Sequence, residues 1–379
     1  MDVKLYNYSN LNLLCNFDNG AIAMIDEDNI DNVTEMLNTS NEDARMALED
    51  IGFFDLSGDN KQAYLHVTHR CNMDCSGCYS AISNRNKQQD LDLEDIKDIL
   101  DRLKENGFVD LVISGGEPML RADIGQIVDY AKSLSMNIIM ITNGSIDIDP
   151  SIIEKLYMLS ISIDDLSKGN NELGRKINKE SILKQAEKAR NLGILYSGII
   201  TITSQNIDKI DYFFEMSNKY NLPITFSLFH SNDPKDKKYI LDDNQLAKLA
   251  ISNYDYLKYL VEGIEGIDDM SCRKSCGAGS ITISVDASGN LAPCHFLHNI
   301  NLGNLLENPD LAFNNLNDFS KMISNKKTQC NSCDHQFLCG EGCLARSFAS
   351  GGFEERDPYC NLYKTYYNLL KDELVSMTH

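Results

Sequence analysis

The sequence predicts an α/β protein: a partial (β/α)6 barrel, preceded by a small α+β unit and followed by a cysteine-rich module. Three observations carry this reading. Between Ala63 and about His230, apolar strand-like runs alternate six times with stretches of helical periodicity, the pattern of a parallel sheet with helices outside it. Polar motifs fall at the ends of four consecutive strands, where parallel β/α architectures assemble their chemistry. The 12 cysteines are unevenly spread: Cys15 stands alone, Cys71, Cys75 and Cys78 form one group, and the rest fall between Cys272 and Cys360.

Composition bounds the function. A chain of 379 residues can bury two or three cores. Its net charge of −21, from 56 acidic and 35 basic residues, repels phosphate backbones and anionic lipid, so neither nucleic acid nor membrane is expected as a partner. No apolar run reaches the roughly 18 residues that span a bilayer. The start, Met1 to Tyr6, lacks a basic segment followed by an apolar one, so a cytoplasmic location is expected. Cysteines in that compartment point to metal or redox chemistry rather than to disulfides.

Residues 1–60 read as a separate unit. Leu11 to Cys15 and Ala21 to Ile25 flank Asp18-Asn19-Gly20, a hairpin signal. Helical patterns follow at Ile30 to Leu37 and Glu42 to Leu48, then an extended Gly52 to Leu56. Cys15 lies on an apolar stretch and reads as a buried thiol. The barrel segment, 61–232, has strands at Ala63 to Thr68, Phe108 to Ser114, Asn137 to Thr142, Leu159 to Ile163, Ile194 to Thr203 and Pro223 to Phe229. Helices are predicted at 92–106, 122–134, 151–157, 180–192 and 206–219. A full eight-fold TIM barrel needs about 250 residues, so this shorter segment predicts a partial, TIM-like one. Residues 233–270 form a bridge with a helix from Asp243 to Glu262, 271–360 the cysteine-rich module, and 361–379 a helical tail whose tyrosines read as packing residues.

The strand ends carry the chemistry. Strand one runs into Cys71-x3-Cys75-x2-Cys78, strand two into Gly115-Gly116-Glu117-Pro118, strand three into Asn143-Gly144, and strand four into Ser162-Ile163-Asp164. Three thiolates so spaced can hold one corner of a small metal cluster and leave a position open, as catalytic metal sites do. By spacing alone, a zinc knuckle or scattered buried cysteines also fit. With Gly-Gly-Glu-Pro at the next strand end, the pattern resembles the radical S-adenosylmethionine (SAM) enzymes. That resemblance implies a [4Fe–4S] cluster on Cys71, Cys75 and Cys78, with SAM on its fourth iron. Gly115 to Pro118 would lie along the methionine part of SAM, Ser162 and Arg175 would serve its carboxylate, and Asn143 and Asp164 would line the site. Glycine at position 77, before the third cysteine, departs from a family that often has an aromatic there; Tyr79 is expected to take over some of that packing.

The C-terminal spacing Cys276-x12-Gly289-x4-Cys294, then Cys330-x2-Cys333-x5-Cys339-x3-Cys343-x16-Cys360, resembles the SPASM module, which binds two auxiliary [4Fe–4S] clusters. Its ligand pattern assigns Cys272, Cys276, Cys294 and Cys343 to the first and Cys330, Cys333, Cys339 and Cys360 to the second, Cys272 lying outside the core motif. Paired zinc ribbons share the CxxC element. The resemblance implies three clusters, SAM, and a reducing partner such as flavodoxin or ferredoxin. It also implies hydrogen abstraction from a peptide or protein, with the auxiliary clusters taking up an electron. The first 60 residues resemble by pattern the winged-helix unit with which peptide-modifying enzymes hold a leader peptide; a capping subdomain fits equally. The expectation is therefore a maturase installing a thioether or carbon–carbon crosslink in a ribosomally made precursor peptide. Two alternatives stand beside it. One is an anaerobic sulfatase-maturating enzyme, which commonly has an aspartate base where this chain has His295, a residue that can itself move a proton or serve only structure. The other is a non-catalytic iron–sulfur electron carrier, which has no need of a SAM pocket.

Overall fold

The six apolar runs become six consecutive parallel strands: β4 (Lys61–His66), β5 (Phe108–Ser114), β6 (Asn137–Thr142), β7 (Met158–Ser162), β8 (Leu195–Ile202) and β9 (Ile224–Leu228), paired in that order. This computed structural model describes residues 2–38, 42–54, 61–231, 233–260, 271–323 and 328–377. The strands are largely apolar in the middle of the sheet because helices cover it; Leu111 to Ser114 of β5, for example, are all buried. Between them run α3 (Leu93–Glu105), α4 (Ile124–Ser133), α5 (Pro150–Ile153), α6 (Lys179–Asn191) and α7 (Ile210–Tyr220). Helix α3 shows the local logic. The Asp92 side chain caps it by accepting from the Asp95 N–H, and Ile96, Ile99, Leu100 and Leu103 form its buried stripe. The expected helix at 151–157 shrinks to one turn led by Pro150.

Two additional strands join this sheet. β10 (Thr282–Val285) lies parallel to β4, and β11 (Leu291–Ala292) pairs antiparallel with β10, giving the order β11-β10-β4-β5-β6-β7-β8-β9. Their contacts group residues 278–324, including α9 (Pro309–Ile323), with residues 60–241 as one unit. The other unit comprises residues 1–59, 242–277 and 325–379. The expected module 271–360 is thus divided between two bodies.

In that other unit, β1 (Val3–Tyr8), β2 (Leu11–Asn16) and β3 (Ile22–Ile25) form an antiparallel sheet, followed by α1 (Ile30–Asn38) and α2 (Glu42–Asp50). The Asp18 to Gly20 hairpin is observed, with Gly20 at φ +81°. The extended segment expected at Gly52 to Leu56 is a turn through Phe54, and its last residues lie outside the described ones. The order is therefore strand, strand, strand, helix, helix rather than the expected one, and the winged-helix likeness is not established. The C-terminal part adds α8 (Asp243–Leu260), α10 (Gln336–Cys339), α11 (Leu344–Ser350) and α12 (Cys360–Met377), with α12 packed along α8. Tyr8 and Phe337 meet edge to face at 5.4 Å, and Tyr8 Oη lies 2.7 Å from His335 Nδ1, tying the sheet to α10. Among the described residues no helix is long and apolar enough to cross a membrane.

Candidate active site

The loop after β4 is stitched to the loop after β5. Gly116 N–H donates to Thr68 O and Glu117 N–H to Arg70 O, both at 2.8 Å. A Cβ on Gly115 would meet Thr68 O at 2.5 Å, and one on Gly116 would meet Arg70 O at 2.0 Å. Only glycine allows this approach, which presents both backbones to the same cavity. That cavity is lined by Cys71, Cys75 and Cys78 together with Gly115, Gly116, Asn143, Ser162 and Arg175. The expected thiols and most of the expected SAM contacts are therefore brought together.

Glu117 and Pro118 are placed differently. The Glu117 carboxylate is fully buried and accepts from Thr142 Oγ1 and Asn143 N at 2.8 Å and from Met119 N at 3.0 Å. Its side chain ties the end of β5 to the end of β6 instead of lining the cavity, and Pro118 starts a buried 3-10 turn. Asn143 also donates to Asn72 Oδ1 at 2.9 Å, joining the third strand end to the cysteine loop.

Arg175 reaches the cavity with its Nη1 3.2 Å from Asp164 Oδ2, and Cys75 lines the same cavity. Asp164 is buried with a left-handed φ of +42°, and it accepts from Thr201 N at 2.8 Å and Asn171 Nδ2 at 2.5 Å. It therefore fixes the guanidinium from behind, and is not among the residues facing the cavity. Burial pushes the Cys71 and Cys75 thiols up, so unassisted they are poor thiolates. Arg85, a residue the motif did not single out, also meets this loop: its Nη1 is 3.6 Å from Cys78 Sγ and its Nη2 donates to Met73 O.

The opposite wall is aromatic. Tyr64, Tyr79, His295, Phe296, Phe229 and His230 all line the cavity. His295 stacks on Tyr64 at 4.1 Å, Tyr79 meets His295 edge-on at 5.4 Å, and the Tyr79 hydroxyl lies 2.7 Å from Ser114 Oγ. The departure at Gly77 has a structural counterpart. A Cβ there would lie 2.4 Å from the Phe229 ring, so an aromatic supplied by the end of the sixth barrel strand occupies that space. His295 Nδ1 is buried without a hydrogen-bond partner among the described residues, and burial pulls the imidazole down to about 3. The ring is neutral and a weak base.

A second centre lies in the other unit. Cys330, Cys333, Cys339 and Cys360 line one small cavity together with Gly342 and Tyr363. Behind it, Asp357 accepts from Cys343 N at 2.6 Å and pairs with Arg346 at 2.8 and 2.7 Å, and Arg346 donates to the Tyr363 hydroxyl at 2.6 Å. Cys272 is placed away from this. Its thiol is buried beside Cys15, donating to Asn16 O at 3.3 Å and Ala21 O at 3.4 Å, in an apolar cluster with Tyr8, Leu13 and Phe337. The SPASM ligand pattern groups it with Cys276, Cys294 and Cys343; in the fold its thiol lies beside Cys15.

Among the described residues no three His, Cys, Asp or Glu side chains gather as a single-ion site. A cubane cluster asks for something else, thiolates spaced around a cavity so that each binds its own iron. The three-cysteine cavity with its glycine floor fits a cluster with a bound cofactor, and the four-cysteine cavity fits a closed cluster.

Comparison with known proteins agrees. Residues 65–216 match the Radical SAM superfamily and residues 276–334 the SPASM iron–sulfur cluster-binding domain. The chain thus carries a radical SAM domain and a SPASM domain. It is 28% identical over 323 residues to the mycofactocin maturase MftC of Mycolicibacterium smegmatis, spanning 78% of this chain and 81% of that protein. It is 26% identical over 334 residues to the AdoMet-dependent heme synthase of Methanosarcina barkeri, spanning 78% and 94%. Streptococcus suis SuiB bound to S-adenosylmethionine shares the fold, with a TM-score of 0.63 at 18% identity over 95% of this chain and 98% of that one.

Proposed function

We propose that the chain is a peptide maturase that takes hydrogen from a ribosomally made precursor peptide and leaves an oxidative crosslink, a thioether or a carbon–carbon bond. The observation that carries the substrate class is the β3 edge. Among the described residues β3 pairs only with β2, and beside it runs a groove lined by Met24, Ile25, Val33, Leu48 and Ile51, with Asp26 and Asp43 on its rim. An unpaired strand edge next to a groove of mixed apolar and acidic lining accommodates an extended peptide. Between Ile22 and Ile51 carboxylates far outnumber the single cation, Arg45, so the bound segment should carry basic residues. The likeness to a maturase supports the same class.

In this reading Cys71, Cys75 and Cys78 hold the SAM-binding cluster. Cys330, Cys333, Cys339 and Cys360 hold an auxiliary one, and the SPASM resemblance assigns Cys276, Cys294 and Cys343 to a third, with Cys272 set apart by its packing against Cys15. SAM on a reduced cluster supplies the hydrogen-abstracting radical. The protein's own residues do the rest. Arg175, set by Asp164, and Ser162 receive the SAM carboxylate, the Gly115–Gly116 backbone lies against the cofactor, and the aromatic wall of Tyr64, Tyr79 and Phe296 keeps water from the reacting carbon. With these groups bound, a flavodoxin or ferredoxin would supply the starting electron, 5′-deoxyadenosine would carry off the substrate hydrogen, and an auxiliary cluster would take up the second substrate electron as a proton is released to solvent.

The test is anaerobic turnover with any short peptide that a reading frame beside the gene proves to encode and with basic synthetic peptides, followed by mass spectrometry. Loss of hydrogen from the peptide, matched by 5′-deoxyadenosine, supports the maturase. Formylglycine on a sulfatase peptide would favour sulfatase maturation, and turnover of a haem precursor with the peptide untouched would favour the second relative's chemistry. SAM cleavage with none of these would leave the peptide assignment refuted.

A further inference from the structure

Three arginines are buried among the described residues, and two of them have carboxylate partners: Arg121 pairs with Asp123 and Arg346 with Asp357, both at 2.7 Å. Arg85 differs. It is 8% exposed, and among the described residues no carboxylate lies within 4.0 Å of it; its side-chain contacts are the Met73 carbonyl and the Cys78 sulfur. Arg175 also touches the cysteine loop, but Asp164 balances its charge. Burying an uncompensated guanidinium is costly unless an anion meets it. The group that fits is an anionic cluster with thiolate ligands, and Arg85 points its Nη1 at one of those ligands.

The surrounding backbone is arranged to hold it there. Asn84 adopts a left-handed φ of +57°, turning the chain back into a short 3-10 segment, Arg85 to Lys87. Asn86 Oδ1 in that segment accepts from Cys71 N at 2.9 Å. Consecutive residues thus clamp the metal loop at its first and third cysteines.

We infer that Arg85 is a redox-positioning residue, whose fixed positive charge beside Cys78 raises the reduction potential of the cluster held by Cys71, Cys75 and Cys78. The inference rests on the cluster assignment proposed above. A positive charge at a cluster sulfur favours the reduced, more negative form, and hydrogen bonds to the sulfurs act in the same direction. The residue therefore makes the one-electron reduction that precedes SAM cleavage easier for a biological donor.

The experiment is an EPR-monitored redox titration of the reconstituted full-length chain and of Arg85→Gln and Arg85→Lys. The SAM-site cluster is identified as the signal that changes when SAM is added, and that change reports the cluster assignment independently of Arg85. Arg85→Gln should shift the midpoint of that signal to more negative potential, and Arg85→Lys should keep it near the parental value. An Arg85→Gln protein with the SAM-responsive signal at the parental midpoint overturns the inference. Should Arg85→Gln fail to load, Arg85→Lys decides. Normal iron and a parental midpoint support a charge role, whereas a lowered midpoint or failure to load assigns Arg85 to packing alone. If no signal responds to SAM in the parental chain, the cluster assignment itself fails.

Discussion

The two cysteine-lined cavities differ in the feature that would separate an open, reactive metal centre from a closed one. At the loop after β4, three thiols share a broad cavity with glycine backbone, Ser162, Arg175 and an aromatic wall, leaving room for a cofactor and a substrate. In the C-terminal part, four thiols surround a small cavity backed by the fully paired Arg346–Asp357–Tyr363 network. A metal centre with a missing protein ligand and space beside it can bind and react. One with four ligands and no such space can only pass electrons.

The largest expected effect separates the two directly. Cys78→Ala should reduce 5′-deoxyadenosine formation to background, whereas Cys339→Ala should lose about four iron per chain and the crosslinked product while still cleaving SAM. Equal loss of SAM cleavage in both would erase the distinction. Next, Arg346→Leu leaves Asp357 as a buried carboxylate without its guanidinium, and chemical denaturation should show a loss of about 3–5 kcal/mol. A change below about 1 kcal/mol would mean that the network does not support the closed centre.

Cys272 sharpens the comparison from the other side. If packing against Cys15 is its role, Cys272→Ala should retain the parental iron content and lose about 1 kcal/mol of stability, the scale of a small core truncation. Loss of about four iron would restore it as a ligand. The smallest effect is one of pH. Burial pulls His66, on β4, from 6.5 down to about 4. The unfolded chain therefore takes up this proton first, and stability is complete above about pH 6.5 and falls as pH drops toward 4. Thermal melts over that range should show the decline, and His66→Leu should flatten it.

The barrel was legible because each strand is a continuous apolar run bounded by turn residues and each long helix has its own stripe; β5 and β6 begin and end where the sequence places them. β1 was missed because Val3 to Tyr8 mixes polar with apolar residues and is identified as a strand only by its pairing with β2. β10 was missed for a related reason: four residues more than 200 positions from β4 join its edge, and local pattern does not encode such pairing. In the site, spacing singled out the thiols and glycines and the family resemblance added Ser162 and Arg175, and all of these line one cavity. The resemblance also read Glu117 as a cofactor contact because the motif includes it, although the carboxylate is consumed by three protein donors. The SPASM ligand pattern that places Cys272 with Cys276 has no access to the Asn16 and Ala21 carbonyls to which its thiol donates. Arg85 carried no spacing signal; its importance lies in lacking a carboxylate, which only packing reveals.

The measurement that bears most directly on the whole account is SAM cleavage by the anaerobically reconstituted, reduced chain, quantified as 5′-deoxyadenosine alongside iron. The account predicts about twelve iron per chain and SAM cleavage that disappears when Cys71, Cys75 and Cys78 are together replaced by alanine. Cleavage no greater than in that triple variant, or zinc in place of iron in the C-terminal centre, would contradict it.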